Sequence, residues 1–192
     1  MKLINPIKQT VWVCLLVCVA CRSGASSQAA SDWITGRDAL QSMITTANQW
    51  SPDANAIRLF SGMCQKPPRD GVCNEWRAVV ISVAKKKSAG FYWRGGAVTQ
   101  GELSDYEPQG KQTAIDPSRI KADSDAAFRV SEEHGGRSLL EKNPDTEIRY
   151  AMMWDKGVKQ LIWLVFYDVK GTDISSAKLH VAANAETGDF LQ

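Results

Sequence analysis

The stretch QLIWLVFYDV, residues 160–169, carries the pattern that decides the fold. Leu161, Trp163, Val165, Tyr167 and Val169 form one unbroken apolar face, and a period of two marks a strand. Ile162, Leu164 and Phe166 on the other face are apolar too. A sheet with helix on one side and water on the other alternates more cleanly, so the pattern predicts a cover over the second face. A companion run, EWRAVVISVA at residues 75–84, begins at Trp76, which precedes Trp163 by 87 positions. Its Val79, Ile81 and Val83 alternate with Ala78 and Val80, and the sheet built from it is the expected cover.

The same separation of 87 recurs outward from these strands. Asp38-Ala39 and Asp125-Ala126 each open a helical pattern, and Thr99-Gln100-Gly101-Glu102-Leu103 lines up with Glu186-Thr187-Gly188-Asp189-Phe190. Three landmarks at one spacing predict a tandem repeat. The expected fold class is α+β, with two tandem helix-plus-antiparallel-sheet repeats (α-β-β-β). In the first, a helix over residues 37–50 directs Leu40, Met43, Ile44 and Ala47 inward. In the second, Ser124 is the expected cap of a helix ending at His134, with Ala127, Val130 and Ser131 inward and Gly135-Gly136 as the stop. Strands are expected at 56–62, 75–84 and 90–98, and again at 147–154, 160–169 and 178–184. The strands holding Ile57 and Ile148 align only across a four-residue gap. Connections this short require antiparallel hairpins. The boundaries follow: a first repeat at 32–103, a linker at 104–122 with Pro108, Gly110 and Pro117, and a second repeat at 123–192.

The amino terminus sets the compartment. Lys2 and Lys8 precede VWVCLLVCVA, residues 11–20, ten residues without a charge. A membrane-spanning helix needs about 20 apolar residues; a signal-peptide core is shorter and fits this length. Residues 1–20 are therefore expected to be an export signal, and residues 21–31 a polar tether. Cys18-Val19-Ala20-Cys21 resembles the lipobox of bacterial lipoproteins, with Cys18 where an aliphatic residue is usual. That resemblance implies lipidation of Cys21, and Arg22 after it resembles lipoproteins sent to the outer membrane. An ordinary secretory signal, cut after Ala20 or near Ala25, is the other reading. Loss of residues 1–20 removes two of 23 basic side chains and none of 21 acidic ones, which leaves the signs balanced. No basic patch of the kind that binds nucleic acid is present. Lys85-Lys86-Lys87 reads as a solvated hairpin loop. Cys64 and Cys73 flank a Pro/Gly-rich loop, and in an oxidising compartment a structural disulfide is expected. A metal site would want further ligands nearby, and the sequence offers none.

A helix opening Ser124-Asp125-Ala126-Ala127 and ending His134-Gly135-Gly136 resembles the PepSY domain. So does the strand Trp163-Leu164-Val165-Phe166, followed by a last strand closing in Asn184-Ala185-Glu186-Thr187-Gly188-Asp189, although Asn184 stands where an acidic residue is commoner. The likeness covers residues 119–192, and reaches 32–103 only through Trp76 and the Gly101-Glu102 turn. In outline the doubled arrangement is also similar to beta-lactamase inhibitory proteins. The PepSY resemblance implies an exported, non-catalytic module that binds or restrains another envelope protein, without a cofactor.

Chemistry-bearing motifs are sparse. His134 and His180 are the two histidines, and neither lies near a nucleophile motif. Glu132 and Glu133 are adjacent on a helix and point apart. Trp33, Trp50 and Trp93 are the tryptophans least committed to a core, and Trp93 is the candidate exposed contact. The expected function is a lipid-anchored, non-catalytic protein-binding or inhibitory module facing the periplasm. Two alternatives stand beside it: an envelope hydrolase built around His134 or His180, and an assembly factor for an outer-membrane complex.

Overall fold

The computed structural model describes residues 32–62, 64, 70–108, 113–169, 171 and 173–191. The export signal, Cys21 and the tether lie outside the described residues. Helix α1 (Gly36–Trp50) is followed by β1 (Asn55–Ser61), β2 (Glu75–Ser82), β3 (Lys87–Arg94) and β4 (Ala97–Asp105). Then come α2 (Ser124–Ser131), α3 (Arg137–Lys142), β5 (Ile148–Asp155), β6 (Gln160–Tyr167), β7 (Leu179–Asn184) and β8 (Phe190–Leu191). The eight strands among the described residues form one antiparallel sheet in the order β4-β3-β2-β1-β5-β6-β7-β8.

This order corrects the expected stacking of two sheets. The halves meet edge to edge through β1 and β5, with Arg58 opposite Met153, Leu59 opposite Met152 and Phe60 opposite Ala151. Sheet plane therefore continues where a sheet-on-sheet interface was expected. The second apolar face of β6 is covered from close by: Phe166 packs with Ala151, Val169, Phe60, Leu164 and Ala177. Val169 was expected among the odd-numbered positions, but Asp168 takes φ 57° and ends the alternation, which turns Val169 to the opposite face.

The helices cover the other face. Ala39, Leu40, Met43 and Ala47 of α1 and Ala127 and Phe128 of α2 are buried, and Leu161, Trp163, Val165 and Tyr167 of β6 lie beneath them in one core. Trp76 and Trp163 are fully buried, with ring centroids 6.2 Å apart in an edge-on arrangement. Each indole N–H donates to a backbone carbonyl just ahead of a helix, Trp76 to Ile34 and Trp163 to Ala122, both at 3.0 Å. A buried indole needs such an acceptor, so each tryptophan fixes a helix entry point.

The two helix starts converge. Ser124 was the expected cap, yet the Asp123 carboxylate accepts from the Ser124 amide at 2.7 Å and from the Arg37 amide of α1 at 2.9 Å. One side chain thus caps both helices. Ser124 accepts from the Gly36 amide and donates to the Gly71 carbonyl instead. Thr35 precedes α1 but makes no cap bond, and its hydroxyl is buried without a partner among the described residues. Gly36 is required here, since a Cβ would sit 2.4 Å from the Trp163 ring and 3.0 Å from that of Trp76.

Other expectations need revising. The helix beginning at Ser124 does not stop at Gly135-Gly136. His134 (φ −109°, ψ 38°) and Gly135 (φ 108°) break it in a wide turn, and it resumes as α3. Each half carries four strands where three were expected. Thr99–Leu103 lies inside β4, whereas Glu186–Asp189 connects β7 to β8. The described later part of the segment expected as a linker is packed: Ile115 and Ile120 are buried, and the Ile115 amide donates to the Ala56 carbonyl. Cys64 and Cys73 are joined in a disulfide with 5.1 Å between their Cα atoms. Cys73 exchanges two backbone hydrogen bonds with Ile34.

Candidate functional site

Side chains alternate along a strand, so the neighbours of each core residue face the opposite side. Trp76 points to the helices, which leaves Glu75 and Arg77 on the open face. The strand register then aligns one row across the whole sheet: Thr99, Tyr92, Arg77, Phe60, Ala151, Leu164, Ala182 and Leu191. A parallel row holds Arg94 opposite Glu75, and Arg149 opposite Phe166, which in turn faces His180. Ala151 and Gly62 are small members at the middle of these rows, between larger neighbours. The result is a cleft of about 470 Å³ lined by Phe60, Arg77, Tyr92, Arg149, Phe166 and Ile174, among others.

Tyr92 is held firmly in this cleft. The Arg77 guanidinium lies over its ring at 5.4 Å. A Cβ at Gly90 or Gly101 would come within 3.0 Å of the same side chain, so both glycines make room for it. The charges are unequally matched. Arg94 pairs with Glu75 at 2.7 Å, and Arg149 pairs with Glu147 in a largely buried contact. Arg77 and Arg58 have no carboxylate at ion-pair distance among the described residues. The open face therefore combines aromatic surface with uncompensated positive charge.

The residues singled out from the sequence fall elsewhere. Trp93 is 3% exposed and belongs to the core, which corrects its reading as an exposed contact. Its strand neighbours, half-buried Tyr92 and exposed Arg94, point to the open face instead, a shift of one residue that turns a side chain to the other side. His134 stacks on Phe190 with ring centroids 3.6 Å apart, and His180 lies 6.4 Å from Phe166. Among the described residues no group of three His, Cys, Asp or Glu could hold a metal ion. Trp50 packs on Phe91 beneath Lys85, and Lys87 pairs with Asp105, so the lysine run is shared among a hairpin turn and its flanks. No helix among the described residues is long and apolar enough to cross a membrane.

Fold and site together define an α+β protein built on a single antiparallel sheet with one face covered by helices. No protein-family model and no curated protein matches the chain. Among solved structures it is similar to a candidate lipoprotein from Clostridium difficile 630, with a TM-score of 0.51 and 9% sequence identity over 80% of this chain and 90% of that one. At that identity the likeness is one of fold.

Proposed function

We propose that the chain is an exported, lipid-anchored, non-catalytic binding or inhibitory module of the bacterial cell envelope, built as a tandem PepSY-like duplication. The observation that carries the binding role is the open face, where Tyr92, Arg77, Phe60 and Phe166 surround a cleft. Recognition surfaces concentrate aromatic and arginine side chains of this kind.

Support for duplication comes from the register. The gap that aligns Ile57 with Ile148 also aligns Phe60 with Ala151, and these two residues pair with each other across β1 and β5. A pseudo-twofold axis through that pair would exchange the halves, carry Trp76 toward Trp163 and reproduce their matching bonds to Ile34 and Ala122. The charge-free run before Cys21 supports export, the lipobox supports the anchor, and Arg22 supports an outer-membrane address. The solved candidate lipoprotein of like fold is in keeping with an envelope setting.

Two measurements test this reading. Intact mass of the native protein should show a lipid-modified chain beginning at Cys21, and Cys21→Ala should abolish the modification. A photo-crosslinking residue placed at Tyr92 in living cells should trap an envelope protein, while one at Gln41 on the exposed side of α1 should not. Equal trapping from both positions would overturn the assignment of the binding face. A mature chain without lipid would overturn the anchor. Function retained in His134→Ala and His180→Ala is expected of a non-catalytic module.

A further inference from the structure

We infer that the open-face cleft receives an acidic peptide segment of the partner protein, with a carboxylate held by Arg77 and an adjacent aromatic or aliphatic side chain seated between Phe60, Tyr92 and Phe166. This inference rests on the binding-module reading and names the chemistry of its partner. Charge comes first. The cleft-lining acid Glu75 is engaged by Arg94, and Glu147 engages Arg149, so among the described residues the cleft-lining guanidinium without an ion-pair partner is that of Arg77. It is already oriented by the Tyr92 ring and needs little further ordering to grip a carboxylate through both of its outer nitrogens.

Shape decides between kinds of anion. The floor of the cleft is recessed, because Ala151 is 1% and Phe166 6% exposed, while Ile174 stands up at the rim with 42% exposed. A flat bilayer surface cannot enter such a recess, whereas a protruding side chain can. The volume of about 470 Å³ would suit a small molecule. Yet the apolar row continues past the recess through half-buried Leu164 and Ala182 to Leu191, which line a second concavity that a small ligand in the first would leave uncovered. A chain segment fills the recess and follows the row. Rigid aromatic walls with few rotatable bonds limit the entropy lost on contact.

The test pans a phage-displayed library of random decapeptides against the full chain in detergent. Enrichment of Asp or Glu next to Phe, Tyr, Leu or Ile is expected, and a selected peptide should bind at least tenfold more weakly to Arg77→Glu and to Phe60→Ala by fluorescence anisotropy. Unchanged circular dichroism and melting of Arg77→Glu would certify its fold, since Arg77 is exposed. Selection of basic or charge-free sequences, no enrichment, or selected peptides indifferent to Arg77→Glu would each overturn the inference. Binding of the full chain to phosphatidylglycerol vesicles that Arg77→Glu abolishes would overturn it in favour of a membrane surface. Trapping from position 92 in cells separates the two levels: a trapped protein with failed panning leaves the module reading standing without this peptide chemistry, and an absence of both removes the two together.

Discussion

The two halves of the sheet are alike at the centre and unlike at the rims. At the centre, Trp76 and Trp163 occupy corresponding strands, touch each other and bind the carbonyls that precede α1 and α2. At the rims, β4 has nine residues and β8 has two, α1 is continuous and its counterpart breaks at His134-Gly135, and the disulfide loop lies in the first half alone. The contrast teaches that the shared packing problem is solved once, at the axis, and that each half is free to differ where it no longer contacts the other. The open-face cleft lies at the axis too, so its walls come from both halves.

Truncating the axial rings should have the largest effect. Trp76→Ala and Trp163→Ala are each expected to cost about 3–5 kcal/mol, the range for emptying a fully buried large aromatic site. Urea unfolding checks this, and a twofold disparity between them would break the equivalence of the halves. Reducing the Cys64–Cys73 bond should cost about 2–3 kcal/mol through the freedom restored to the unfolded loop. Because that loop belongs to the first half, hydrogen exchange should rise in β2 before it rises in β6.

Asp123 links the halves, and Asp123→Ala should cost about 2 kcal/mol, as expected for two helix caps lost at once. Thr35→Val should be neutral or slightly stabilising in the same melts, because it removes a buried hydroxyl that has no partner among the described residues.

Acid and alkali should act through different groups. The Ala84 amide, followed by the Ser82 and Ser51 hydroxyls, holds the Asp53 carboxyl well below the usual range. A carboxylate lowered by folding contributes stability above its ordinary value near 4, and loses that contribution as pH falls below it. Asp53→Asn should therefore flatten the acid limb of Tm against pH. In the second half, burial pushes the Tyr167 phenol up to about 12, and Tyr150 is raised well above its ordinary value by burial as well. The neutral phenol of Tyr167 contributes fully below pH 10, and its contribution is lost as pH climbs from about 10 to about 12. Tyr167→Phe should flatten the alkaline limb while Ser131 keeps its bond to the Phe128 carbonyl.

What the sequence disclosed was local. Leu40, Met43 and Ala47 repeat at helical spacing, and the apolar runs at Trp76 and Trp163 are strands wherever they pair. The joining of β1 to β5 was illegible, because edge-to-edge and face-to-face association bury similar residues and differ only in which backbone groups meet. Strand β4 escaped notice because AVTQGELSD is mostly exposed and lacks a two-residue alternation. Asp123 and Ser124 are both competent caps, and only the arrival of α1 decides between them. The cleft was hidden for the same reason: Phe60, Arg77 and Ala151 look unrelated until three strands bring them side by side. Gly90 and Gly101, two glycines inside strands, were the one local sign that a large side chain needed room.

Ile34 gives the molecule a mooring. Chain entering at residue 32 reaches Ile34 almost at once, and there it is gripped from both sides by Cys73 and by the Trp76 indole. Tension drawn through the preceding residues would pass sideways into the disulfide-linked Cys73 and a fully buried ring of the core, ahead of the first turn of α1. Under load, the protein should hold its shape until that central clasp yields.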